Sequence, residues 1–349
     1  MLLKINPLKP ESKLIKIAAD AIKSGELVAF PTETVYGLGA DALNEAACSK
    51  IFAAKGRPQD NPLIVHVDSI KMAESIGEIP KEYRQILNEI WPSPITVIIK
   101  KRPILPDSAT ASLDTVAVRI PAHPIALALI KEANTPIAAP SANLSGKPSP
   151  TEAKTIIEEL GEKVAVIIDG GPTFFGLEST VIDLDSFTIL RPGPFTPEEI
   201  AKKFGKNPKV YVAPKNVQKP ISPGLKYRHY APDKSLFLFS GKPTELAKIS
   251  NGLDKNFCII GSNELCDSIY NKRALKIRLG ARDNSYEIAK NLFSAIRSVD
   301  KYEIEFGICE TFSDNGIGLA IMNRLGKACG GNAFSNIDQL KKLIKINHI

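Results

Sequence analysis

The chain is poor in the residues that build metal centres. It has four histidines, His66, His123, His229 and His348, and no H-E-x-x-H. Its five cysteines, Cys48, Cys258, Cys266, Cys309 and Cys329, are odd in number and include no C-x-x-C pair, which argues against a disulfide framework or a cysteine zinc site. No protein-held metal is therefore expected. No apolar run approaches the ~18 residues that cross a bilayer. The first residues, MLLKINPLKPESK, lack an apolar core ahead of their charges, so a cytoplasmic protein without membrane association is expected. There is no G-x-x-x-x-G-K-[ST] loop for phosphate and no G-x-S-x-G elbow for a serine hydrolase.

What remains is a 349-residue chain with 44% apolar and 24% charged residues, a globular composition with room for two cores. The net charge of +7 could mark a nucleic-acid surface, so its placement matters. Residues 1–205 carry 22 basic and 25 acidic side chains, residues 206–232 carry six basic and no acidic, and residues 233–349 carry 17 and 13. The first 205 residues thus contribute nothing to the excess.

Apolar periodicity predicts a helix from about 12 to 24, ended by Gly25, and a buried strand Leu27 to Phe30. Strands follow near 63–67, 95–99, 116–120, 164–168, 180–184 and 188–190, with helical patterns near 45–54, 81–91, 124–133 and 151–161. Strands that sometimes adjoin and sometimes alternate with helices predict a twisted mixed sheet. Residues 206–232 hold five prolines and read as a basic, semi-extended linker. Beyond it, strands near 236–239, 257–261 and 304–309 alternate with helices near 243–250, 286–298, 318–328 and 336–346, which predicts a smaller doubly wound, Rossmann-like α/β domain over 233–349.

Several segments carry chemistry. PTETVYGLGAD (31–41) contains G-x-G-x-x-A, but six residues separate Phe30 from Gly37, whereas a dinucleotide turn directly follows its strand. It reads instead as a long glycine-hinged loop bearing Thr32, Glu33, Thr34 and Tyr36, or as an ordinary connection. Lys55 closes a helix and Arg57 follows Gly56; two such cations fit a polyphosphate, or equally offset a helix C-terminus. The segment 136–150 brings Ser141, Asn143, Ser145 and Ser149 after a strand end, suited to neutral hydrogen bonds with phosphate or ribose, or to turn chemistry.

In order along the chain stand PTETVYGLG (31–39), K-x-R at Lys55 and Arg57 with NPL at 61–63, S-x-N at Ser141 and Asn143, LEST (177–180), RPG (191–193) and SPGLKYRHYAP (222–232). Together they resemble the YrdC-like threonylcarbamoyl-AMP synthase family, in its longer two-domain form. The resemblance implies a catalytic domain over 1–205, a linker or lid over 206–232 and a C-terminal domain. It implies a nucleotidyltransferase reaction of ATP, L-threonine and bicarbonate to threonylcarbamoyl-AMP and pyrophosphate, with Mg²⁺ held mainly by phosphates. The product would feed the tRNA threonylcarbamoyl transferase machinery, with weak tRNA contact as a further expectation.

By motif position the resemblance assigns ATP to Lys55, Arg57, Asn61, Thr115, Ser141, Asn143, Ser149 and Arg191, with Lys55, Arg57, Ser141 and Asn143 closest to the chemistry. It assigns threonine and its carbamate to Thr34, His66, Arg119, Ala139 and Ser179. Arg119 is expected to pair with the amino acid's carboxylate. Tyr230 is the candidate lid residue, ahead of Tyr227 and His229. The alternative is a double-stranded RNA or tRNA binder without adenylate synthesis, against which the acidic balance of residues 1–205 argues. A carbamoyl-transfer module of hydrogenase maturation would need C-x-x-C zinc pairs that the chain lacks.

Overall fold

The computed structural model describes residues 1–211 and 230–346. These fall into two compact units, one of residues 1–145 and 149–211, the other of residues 146–148 and 230–346. Tyr227, His229 and most of the expected linker lie outside the described residues.

The first unit is built on one mixed sheet of twelve strands. Its strands run in the order Leu2–Lys4, Val166–Asp169, Val28–Phe30, Gly37–Asp41, Ile137–Ala138, Ile64–His66, Thr115–Arg119, Ile95–Lys101, Thr180–Asp183, Thr188–Arg191 and Lys209–Val210. Gly77–Glu78 pairs with Ile95–Lys101 off this path. The predicted strands are present with ends shifted by a residue or two. Residues 37–41 are a correction: the expected loop forms a strand antiparallel to Val28–Phe30. Glycine stands at 39 because a Cβ there would meet the Phe30 ring at 2.7 Å and Ile137 at 2.8 Å. The chain beyond Gly205 also remains in this sheet, since Lys209–Val210 pairs with Thr188 and Ile189.

The helices follow from local signals. In Ser12–Lys23 the buried stripe is Ile15, Ala18, Ala19 and Ile22, while Ile17 is exposed. Helix Glu45–Lys55 starts where the Asn44 side chain accepts the Ala47 N–H and ends at Gly56, whose φ of 61° is left-handed. That ending fixes where Lys55 and Arg57 emerge.

The second unit is a five-stranded, all-parallel sheet in the order Ala274–Arg278, Phe257–Gly261, Phe306–Cys309, Ser235–Phe239, Ala333–Phe334. Strands Ala274–Arg278 and Ala333–Phe334 were not expected; both are short, and the first is only partly buried, so neither has a clear apolar pattern. Its core is rich in phenylalanine: Phe237, Phe239, Phe257, Phe306 and Phe334 are all fully buried. Among the described residues, no helix is long and apolar enough to cross a membrane.

Candidate active site

Pairing register gathers three of the amino-acid candidates, His66, Arg119 and Ser179, at one end of neighbouring strands. His66 pairs with Arg119 at the C-terminal ends of two parallel strands. The neighbouring strand Ile95–Lys101 runs antiparallel to Thr115–Arg119, so its first residues, with Thr96, reach the same end. Thr180 pairs with Ile95, which brings Ser179 beside them, and Arg191 closes the row opposite Val181. Ser179 Oγ and Thr96 Oγ lie 2.8 Å apart, and Arg191 donates to Ser179 Oγ and to its carbonyl at 3.1 and 3.0 Å. Ser179 thus meets Arg191, a residue expected on ATP.

Behind this row sits a buried ion pair. Arg119 donates from Nη2 to Glu33 Oε2 at 3.1 Å and from Nη1 to Thr34 Oγ1 at 3.0 Å; Arg119 is 2% exposed and Glu33 5%. Burial lowers the affinity of Arg119 for its proton, and the Glu33 charge opposes that. His66 is held neutral, its pKa pushed down to about 3 by burial first and the Arg119 charge second. Among the described residues, Glu33 Oε1, His66 Nδ1 and Arg119 Nε are closed to solvent and have no hydrogen-bond partner.

Of the nucleotide candidates, Lys55, Ser141 and Asn143 form a second group. Lys55 is 2% exposed, and its ammonium donates to the carbonyls of Ser141 and Asn143. Ser141 Oγ donates to Asn143 Oδ1 at 2.5 Å, and Gly37 bridges to Ser141 across the sheet. Arg57 donates to the carbonyls of Asn61 and Pro62, and the buried Asn61 leaves its Oδ1 without a partner among the described residues. Thr115 lies two residues before Ala117, the partner of Ile64, and so is level with Pro62; it sits ~13 Å along its strand from Arg119. Ala139 donates to the Ile64 carbonyl at 2.9 Å and borders the same segment. Ser149 donates to Glu178 Oε1 at 2.5 Å, which ties it to the residue before Ser179. RPG has a steric role here, because a Cβ on Gly193 would lie 2.3 Å from the Thr180 backbone nitrogen.

Tyr230 is the first residue described after residue 211. It belongs to the second unit, 5% exposed at a φ of 65°, its ring stacked on Phe293 at 5.0 Å with the Arg324 guanidinium 5.9 Å away. Sequence reasoning named Glu33 without giving it a role; its partner lies 86 residues away, and no local pattern shows such a pairing.

The depressed histidines give a pH prediction. His123 is held down to about 4 by burial and accepts the Ile125 N–H through Nδ1 as the cap of helix Pro124–Ala133. Both groups bind protons more weakly in the fold than unfolded, so they favour the fold above pH 6.5 and lose that contribution as pH falls. From pH 7 to pH 5, His66 alone is expected to remove on the order of 2 kcal/mol. Urea unfolding at the two pH values checks this, and His66→Gln should flatten the dependence.

The fold and these groups define a two-domain α/β protein whose first unit holds buried cations, a neutral histidine and small hydroxyls suited to an anionic ligand and an amino acid. The family model described as "Telomere recombination" matches residues 20–193, and that of the "Threonylcarbamoyl-AMP synthase, C-terminal domain" matches 195–330. The threonylcarbamoyl-AMP synthase of Pyrococcus abyssi is 46% identical over 90% of this chain and 94% of its own, and that of Bacillus subtilis 45% identical over 90% and 92%. The crystal structure of P. abyssi Sua5 complexed with L-threonine superposes with a TM-score of 0.89 at 42% identity, covering 97% of this chain and all of that one. The chain belongs to the threonylcarbamoyl-AMP synthase family.

Proposed function

We propose that the first unit joins ATP, L-threonine and bicarbonate to give threonylcarbamoyl-AMP and pyrophosphate. The observation that carries this reading is the row of strand ends at which a buried guanidinium, a neutral imidazole and Ser179 meet Arg191. Arg119 takes the threonine carboxylate, with Thr34, His66, Ala139 and Ser179 around the amino acid. The uncharged His66 does not compete for the carboxylate as a second cation would, and it leaves the amine free to lose its proton.

The threonine nitrogen attacks bicarbonate to give the carbamate and water. A carbamate oxygen then attacks the α-phosphorus, and pyrophosphate leaves. Charge builds on phosphate oxygens, so the contribution of the protein is positioning and cationic stabilisation, from Lys55, Arg57 and Arg191. Asn61, Thr115, Ser141, Asn143 and Ser149 supply neutral contacts, and Tyr230 is the candidate lid residue. Mg²⁺ fits as a passenger of the triphosphate: the groups here are hydroxyls, amides and cations, and among the described residues no cluster of three His, Cys, Asp or Glu could hold a metal. The product would be consumed by a cytoplasmic tRNA threonylcarbamoyl transferase.

The test is pyrophosphate release with each substrate omitted in turn. Release should need both threonine and bicarbonate; release that persists without either defeats the reading.

A further inference from the structure

The turn that begins PTETV is held more tightly than a connecting loop requires. Thr32 Oγ1 donates to the Val35 carbonyl at 2.6 Å and accepts from the Thr34 and Val35 amides, while the Glu33 carbonyl accepts the Phe175 N–H at 2.9 Å. These bonds fix the backbone on both sides of Glu33, leaving its carboxylate and the Thr34 hydroxyl on two different nitrogens of Arg119. A guanidinium has five N–H donors in a planar fork, so two anchors on separate nitrogens determine its plane and leave other donors for a ligand.

A buried guanidinium without an anion nearby is costly, and a buried pair that has lost one member is worse than either intact state. The unpartnered Glu33 Oε1, Arg119 Nε and His66 Nδ1 lie in an interior where nearly every polar atom is normally satisfied. Packing alone gives no reason to keep three such atoms together. A site that must present a charged, oriented cation to a ligand does.

We propose that Glu33 is a positioning residue for amino-acid recognition: it holds Arg119 charged and in one orientation, and so sets how well the substrate carboxylate is bound. This rests on the reading that Arg119 takes that carboxylate. Glu33 does not touch the reacting atoms.

The experiment is a double-mutant cycle read as pyrophosphate release over threonine and ATP concentrations. Glu33→Gln should raise the KM for threonine by ~10-fold or more, as loss of a charged hydrogen-bond partner does, and leave the KM for ATP within about twofold. Glu33→Asp, which keeps the charge but shortens the reach, should fall between Glu33→Gln and the unaltered protein. In an Arg119→Gln background, Glu33→Gln should lower threonine kcat/KM by less than about twofold, because Glu33 acts through Arg119. A threonine KM unchanged by Glu33→Gln, or losses that multiply in the double variant, would overturn the proposal. A general structural role would instead move both substrates together. Should Glu33→Gln lack a cooperative thermal transition, the same cycle run with Glu33→Asp decides. Threonine-independent release by the unaltered chain would sink the functional reading itself, an outcome distinct from failure of the cycle.

Discussion

Arg119→Ala is expected to destabilise the first unit by about 3–5 kcal/mol and to lower threonine-dependent turnover by at least ~100-fold. The stability loss follows from what stays behind. Glu33 is 5% exposed, and the Arg119 guanidinium is its ion-pair partner at 3.1 Å, so truncation leaves a buried carboxylate without a countercharge. It also removes a side chain that is among the largest fully buried in the chain, from a strand end paired with His66. Losses of this size are a large share of the 5–15 kcal/mol that holds a typical domain together. Chemical denaturation of the two-unit chain measures the first part, and Arg119→Ala/Glu33→Gln should recover part of the loss, because it removes the stranded charge. A loss below ~1 kcal/mol would show that Glu33 finds solvent or another cation, and the pair would then be a surface-like contact. The turnover loss is separate, since on the proposed reading it reflects the missing partner for the substrate carboxylate, and it is not recovered by Glu33→Gln.

Arg119 and Glu33 differ in how readable they are from the sequence. Arg119 stands on an apolar run, TVAVRIP, where an arginine is conspicuous, and its strand follows directly from the run. Glu33 sits in a stretch of small residues whose hydrogen bonds come from distant segments, so its role emerges only once strand pairing brings residues 33 and 119 together. Strand Gly37–Asp41 was unreadable for a related reason. Its sequence, GLGAD, has little intrinsic preference for extended structure, and it becomes a strand because Val28–Phe30 and Ile137–Ala138 supply partners on both sides. By contrast, Glu45–Lys55 carries its own start in Asn44 and its own stop in Gly56, so local chemistry alone placed Lys55 at a helix end. What local chemistry did not show is that this end points inward: Lys55 is 2% exposed, far from the solvated lysine that usually closes a helix.

Lys55→Ala should therefore cost more than a surface lysine would, with kcat/KM for ATP expected to fall by at least ~10-fold and up to ~100-fold, the worth of a charged contact of about 1.5–3 kcal/mol. The ammonium already donates to the Ser141 and Asn143 carbonyls, so it is held in place before the nucleotide arrives and need not be ordered on binding. Two effects of truncation add: a positive charge is lost from the proposed triphosphate site, and two carbonyls of the 141–143 turn lose their donor. Lys55→Arg separates them from a simple charge requirement. A guanidinium restores charge, but its planar fork does not fit a closed site shaped around one nitrogen, so Lys55→Arg should remain impaired by ~10-fold. Threonine binding, measured by calorimetry without ATP, should change by less than about threefold in both variants, because the Lys55 ammonium is bonded to the 141–143 turn, whereas Arg119 is held by Glu33 and Thr34. Recovery of full ATP use by Lys55→Arg would mean that only net charge matters at this turn; equal loss of threonine binding would mean that Lys55 supports the whole site and does not belong to the nucleotide group.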